Sequence, residues 1–296
     1  MGWSFTNVIL MTVVAGCVIL SGNADPKDGR AVVWQDEFDG TELDASKWRF
    51  RRTMSSGDNE YVDDKRTVQL ENGLLHLQVT RSKEPGKKCV LPEGLATHDT
   101  MGFRYGYLEM RAKLPFKHGA WPSFWLQSTP SLQKCPLMSE VDIVEVFSST
   151  NRVVSNLHKW TKQDPVTKRV GHTMLPGGEG SVKRAYDFTG ETDRLSDEFH
   201  VYGFEWTPRA MSFYVDGKRY ASYPIDEASD FSAKILPGMS CFQDFQSVIL
   251  NNEVFTPGHG WCPKTCALQD DAALPFDYWV DWIRLYQGPE EEFKSL

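Results

Sequence analysis

Positive charge is in short supply: 32 Lys and Arg face 40 Asp and Glu, giving a formal net charge of −8 and a pI near 5.4. That balance excludes a phosphate-backbone partner, because nucleic acid needs a basic surface. Cysteine is scarce too, with six residues in 296. None stands in a Cys-x-x-Cys pair, so the thiols offer no zinc framework. After the amino-terminal residues no apolar run approaches the ~18–20 residues that cross a bilayer, so no membrane span is expected. Long amphipathic helical patterns, internal repeats and low-complexity linkers are also missing. Their absence excludes helical bundles and solenoids, and nothing divides the chain.

Aromatic residues, by contrast, are plentiful: ten Trp, ten Tyr and seventeen Phe, more than a core of this size needs. Some therefore belong on a binding surface. The first residues form an apolar run from Val8 to Leu20, followed by Gly22 and Ala24 at cleavage-site spacing. This is expected to be a signal peptide over residues 1–24, leaving one domain over residues 25–296 and an exported, monomeric product. Two features complicate that reading. No Lys or Arg precedes the apolar run, and Val14-Ala-Gly-Cys17 resembles a lipoprotein box, so Cys17 is the alternative anchor. Without the leader, Cys89, Cys135, Cys241, Cys262 and Cys266 remain, allowing at most two disulfides; the last three lie close enough in sequence to staple one long loop.

From Ala31 onward the chain alternates strand patterns with turns. Val32–Asp39, Leu75–Val79, Tyr105–Lys113, Phe199–Trp206, Met211–Val215, Lys218–Tyr223 and Tyr278–Tyr286 have strand composition, and Asn72-Gly73 and Asp216-Gly217 are hairpin signals. Leu43–Trp48 is the one early helix-like piece, Gln163–Leu195 and Glu227–Trp261 have loop composition, and Glu290-Glu-Glu292 has the composition of a disordered tail. This pattern predicts an all-β fold of two packed antiparallel sheets.

The most reactive stretch is Glu140-Val-Asp-Ile-Val-Glu145. Its β-branched residues favour a strand, which places Glu140 and Asp142 on one face. Strict alternation would send Glu145 into the core, at the cost of burying a charge. A bulge at Ile143 or Val144 restores the parity, putting all three acids on one face with Val141 and Val146 inside. Repulsion among the three raises at least one pKa, as acid–base work near neutrality requires. Retaining glycoside hydrolysis uses such a pair, with carboxyls roughly 5–5.5 Å apart. The other readings of the hexapeptide are a solvated acidic face or a calcium ligand set, but the apolar spacers lack the oxygen-rich loop of a calcium site. Upstream, Trp121 and Trp125 flank Pro122, which predicts an edge or a bend, and their indoles suit stacking on sugar rings. His158 falls on the next strand, where it can orient or protonate a partner near the acids.

The hexapeptide, Trp121-Pro-Ser-Phe-Trp125 before it and Trp279-Val-Asp-Trp-Ile-Arg-Leu-Tyr286 at the end together resemble glycoside hydrolase family 16. Arg104–Arg111 and Glu205–Gly217 extend the resemblance over roughly residues 31–287. It implies a β-jelly-roll of two curved antiparallel sheets whose concave face holds an internal segment of a β-linked polysaccharide. It also implies Glu140 as nucleophile, Glu145 as acid/base and Asp142 as the assisting acid, with Trp121, Trp125 and His158 lining central subsites. Asn59, Glu60 and Glu253 are further sugar-contact candidates, Glu253 on a late strand. No cofactor is required, and a structural calcium at Glu37 and Asp281 is a family-level expectation. Asn59-Glu60 favours a β-1,3-glucan. Ser139 and Leu250-Asn-Asn-Glu-Val254 depart from a laminarinase pattern, and Lys162, Lys168, Arg169, Lys183 and Arg184 would suit a sulfated red-algal galactan. A transglycosylase and a non-catalytic glucan-binding protein are the remaining alternatives.

Overall fold

A computed structural model describes residues 25–51, 59–135, 137–160, 172–174, 185–189, 195–225, 241–255, 267–268 and 273–296. Its strands in chain order begin with β1 (Ala31–Asp36), β2 (Arg49–Arg51), β3 (Glu60–Val62), β4 (Val68–Glu71), β5 (Leu74–Arg81), β6 (Cys89–Pro92) and β7 (Gly94–Ala96). Then come β8 (Met101–Arg104), β9 (Gly106–Lys113), β10 (Ala120–Ser128), β11 (Met138–Glu145), β12 (Arg152–Trp160), β13 (His172–Met174) and β14 (Ala185–Asp187). The last six are β15 (His200–Trp206), β16 (Ala210–Val215), β17 (Lys218–Pro224), β18 (Gln246–Val254), β19 (Phe276–Gln287) and β20 (Glu292–Ser295).

They form two sheets. The first runs β17-β16-β15-β9-β19-β5-β6-β3, with β1 on β19 and β4 on β5; the second runs β13-β12-β11-β10-β18-β7-β2, with β14 on β12 and β8 linking β18 to β20. Pairing is antiparallel except between β3 and β6. Alternation along each strand sends one face inward. Leu75, Leu108, Met110, Phe204, Trp206, Tyr278, Ile283 and Leu285 of the first sheet meet Phe124, Leu126, Val141, Leu157, Val248 and Leu250 of the second in one buried cluster. Each such side chain contributes roughly 1.5–3 kcal/mol on burial. The hairpin turns are as predicted: Asn72 and Gly73, then Asp216 and Gly217, all have positive φ, the conformation a two-residue turn requires.

Several expectations fail. Leu43–Trp48 is a single turn, closed by Lys47 N and Trp48 N on the Asp44 carbonyl, because Trp48 is drawn into the core and its indole N–H reaches Asp36 Oδ2 at 2.8 Å. The Glu290–Glu292 tail is ordered: Arg30 holds Glu291, Arg104 holds Glu292, and Phe293 packs on the core as β20 pairs with β8. The 227–261 stretch contains β18, which lies at the centre of the second sheet. Pro122 does not sit at a sheet edge, since β10 lies between β11 and β18; its missing N–H falls just past the last β11 pair at Glu145, where Val146 N still donates to the Pro122 carbonyl at 3.2 Å. Cys241 bonds Cys135, not its sequence neighbours, because the β10–β18 pairing brings residues 129–135 beside residues 241–245. Cys89 is buried and free. Cys17, Cys262 and Cys266, the leader and the basic residues Lys162, Lys168, Arg169, Lys183 and Arg184 lie outside the described residues. Among the described residues no helix is long and apolar enough to cross a membrane.

Candidate active site

Strand β11 gathers the acids. Opposite β10 its register passes from Phe124↔Val144 to Trp125↔Asp142, and opposite β12 from Asp142↔Asn156 to Glu145↔Val154, so one residue is extra around Ile143. That bulge reverses the parity as the carboxylates demanded. Val141, Ile143, Val144 and Val146 all enter the core, and the Ile143 carbonyl accepts the Ser155 hydroxyl at 2.8 Å.

Each acid is fixed by a neighbouring strand. Glu145 accepts the Trp121 indole N–H on Oε1 and the Asn156 amide on Oε2, both at 3.0 Å. Asp142 Oδ2 lies 2.8 Å from His158 Nε2, and Glu140 Oε2 accepts the Trp160 indole N–H at 3.1 Å. Asp142, Glu145 and His158 are buried, while Glu140 is the most open of the acids. Burial pushes all three carboxyls well above the ordinary carboxylate range, and the charge of Asp142 pushes Glu140 and Glu145 further. The indole and amide donors on Glu145 oppose that rise without cancelling it, leaving it at about 8. The trio therefore titrates as a unit that keeps a proton at neutrality.

The face that carries the acids continues across β18, β7 and β2. The Trp125 indole N–H donates to Asn251 Oδ1 at 2.9 Å, and the Arg51 guanidinium lies 5.0 Å from the centre of the Trp125 ring. Gly94, paired with Arg51, admits the Asn251 amide so closely that a Cβ there would stand 2.8 Å from Nδ2. Further along β18, Glu253 accepts the Tyr61 hydroxyl at 2.9 Å, and burial raises its carboxyl to about 7.

Not every expected residue joins this group. Trp121 does so through its N–H, but one ring face is stacked on Phe255, with centroids 4.6 Å apart. Glu60 is engaged by Arg66 and Ser82, while Asn59 is buried at the start of β3. Glu37 is held by both oxygens on Arg284, and Asp281 pairs with Arg111, so calcium at these acids would have to displace two arginines. The pair as it stands does not fit that ion. Sequence reasoning missed Arg51, Tyr61, Asn156, Trp160 and Asn251. Asn156 and Trp160 were legible: they flank His158 at intervals of two on one strand. Arg51 and Tyr61 lie on three-residue strands too short to carry a pattern.

The sequence profile described as "Beta-porphyranase A-D, GH16 domain" matches residues 33–288. A beta-glucanase of Rhodothermus marinus is 28% identical over 294 residues, covering 95% of this chain and 94% of that protein. The glucan endo-1,3-beta-glucosidase A1 of Niallia circulans is also 28% identical, over 278 residues; the match covers 88% of this chain and 38% of that longer protein. Among solved structures, the laminarinase from Flavobacterium sp. UMI-01 superposes with a TM-score of 0.62 at 25% identity, covering 87% of this chain and all of that one.

Proposed function

Because the chain belongs to glycoside hydrolase family 16, we propose that it is an exported, monomeric, retaining endo-glycosidase that hydrolyses internal β-glycosidic bonds of a β-1,3-glucan. The observation that carries this reading is the row of three acids on a bulged strand, each tied to a separate hydrogen-bond partner and all raised in pKa. The relatives from Rhodothermus marinus and Niallia circulans support the glucan. The apolar run and cleavage-site spacing within residues 1–24, read as a leader, and the Cys135–Cys241 disulfide support export to an oxidising compartment.

In this mechanism the Glu140 carboxylate attacks the anomeric carbon as Glu145 gives its proton to the departing glycosidic oxygen. A covalent glycosyl ester forms on Glu140 and the glycosidic C–O bond breaks. Glu145, now ionised, takes a proton from water while the water oxygen attacks the same carbon and releases Glu140. The β-configuration is kept after two inversions. Asp142, anchored by His158, lies between the two glutamates and shares with them the proton that Glu145 gives up at transfer.

A second reading, hydrolysis of a sulfated red-algal galactan, is favoured by Arg51. Its guanidinium beside Trp125 offers a sulfate ester the bidentate donors it prefers, and the matching profile is that of porphyranases. The test is reducing-end release from laminarin, mixed-linkage glucan, agarose, porphyran and carrageenan, run beside Glu140→Gln. We expect cleavage of laminarin with the β-anomer appearing first by proton NMR. The variant should lose on the order of 10³-fold or more in rate while still binding oligosaccharide. Cleavage of porphyran alone would replace the glucan with the galactan. Binding without cleavage of any polymer would leave a recognition protein.

A further inference from the structure

The outer face of the first sheet, on the opposite side of the core from the acids, carries an indole whose surroundings no step of hydrolysis uses. Trp279 on β19 stands opposite His76 of β5 and Lys113 of β9. One face of its indole is covered by the His76 imidazole, with ring centres 3.6 Å apart and planes within 9°. His76 is itself fixed: its Nε2 lies 2.9 Å from Asp277 Oδ1, which also accepts the Gln78 amide at 2.7 Å. Trp279 also lines a depression of about 280 Å³ whose other walls include Lys113, Phe116, Lys117, Ser196 and Asp277.

These parts make a stacking platform under a cationic rim. The indole is rigidly backed, so a ring laid against it meets a surface already ordered, at little entropic cost. Asp277 is turned toward His76 and Gln78, while Lys117 Nζ donates to the Pro275 carbonyl at 3.0 Å and Lys113 lies 5.5 Å from the Phe199 ring centre. Neither ammonium has a carboxylate partner among the described salt bridges, and neighbouring Arg111 is neutralised by Asp281. The volume is at the small end of ligand pockets and suits about one sugar ring. We propose that this depression is a second, non-catalytic site that binds one anionic sugar unit, bearing a sulfate or carboxylate, of the polymer on which the enzyme works. The ring stacks on Trp279, and Lys113 and Lys117 take the anionic group. The proposal rests on the reading above that the partner is a polysaccharide. It adds a hold on chains passing behind the cleft, which raises their effective concentration at the acids.

Native electrophoresis in gels containing porphyran or laminarin tests it, using Glu140→Gln so that nothing is cut, with the cleft saturated by a short neutral oligosaccharide. The expected result is retardation by porphyran, weakened about three- to tenfold in apparent affinity by Trp279→Ala. Lys113→Ser/Lys117→Ser, which changes only rim residues and does not threaten folding, should weaken it likewise. The same changes in the active enzyme should leave the rate on a short soluble substrate unaltered. Unchanged retardation in both variants, retardation by laminarin alone, or none by either polymer would overturn the second site. Retardation that responds to both variants, together with a parent protein (Glu140 intact) that cuts none of the polymers, would remove the hydrolase reading and leave the second site standing.

Discussion

Asp142 is the residue on which the acid–base behaviour turns. It is the most enclosed of the three acids, it sits between the other two along the bulge, and its charge raises both. Replacing it with Asn keeps the volume and leaves a donor for His158 to meet while removing that charge. The proton on Glu145 is then less favoured, so the alkaline limb of the pH profile for kcat/KM should move to lower pH, with kcat falling on the order of 10-fold or more. His158→Ala, which frees Asp142 without removing its charge, should lower kcat and leave that limb nearer its place. Profiles for both variants decide the matter; a limb that stays fixed in Asp142→Asn would show that burial alone holds the proton. At this scale the three acids and His158 could be seen in the sequence because charge within an apolar β-branched run has few explanations. Of their partners, Trp121 was visible beside Pro122, and Asn156 and Trp160 could have been found only from their spacing of two about His158, since their residue types alone occur equally often elsewhere.

Among the elements, the bulged strand was legible and the central one was not. Parity alone located the bulge at Ile143 or Val144, because one insertion there reconciles three outward carboxylates with Val141 and Val146 inside, and the structure places it around Ile143. β18 reads Gln-Ser-Val-Ile-Leu-Asn-Asn-Glu-Val and is buried on both faces, one against the core and one beneath the cleft, so no alternation marks it as a strand. The cysteine pairing was hidden for a related reason: sequence proximity favoured Cys262 and Cys266, whereas strand order places Cys241 beside Cys135. That bond spans 106 residues and ties the β10–β11 connection to the entrance of β18. Around it Asp244 Oδ2 accepts the backbone N–H of Lys134 and of Cys135, both at 2.6 Å. Cys135→Ser should therefore cost about 2–5 kcal/mol of stability, read as a lowered melting temperature that reductant reproduces in the parent protein but not in the variant. A variant melting with the parent would mean the hydrogen-bonded turn holds this corner by itself.

The whole molecule carries the cost of keeping its cleft acids buried. Glu140, Asp142, Glu145 and Glu253 all have pKa values raised by burial, with Glu145 near 8 and Glu253 near 7 against an ordinary 4.5. A carboxyl raised in the folded state binds its proton more tightly there than in the unfolded chain. The stability it contributes is full below about 4.5 and is lost as pH rises through the folded value. His98 acts in the opposite direction: burial and Arg51 lower it to about 4, so it contributes stability above 6.5 that disappears as pH falls. Between 4.5 and 6.5 the single His98 offsets only part of the carboxyls' loss, and from 6.5 to 8 the loss runs unopposed. The melting temperature should therefore be highest on the mildly acidic side and fall by several degrees between pH 6.5 and 8.5, at ~2–4 °C per kcal/mol for a chain of this size. Scanning calorimetry of the parent beside Glu253→Gln checks it. Glu253→Gln removes an ionising group outside the catalytic trio and should flatten the decline; a parent curve level across that range would mean that water reaches these acids and leaves them ordinary.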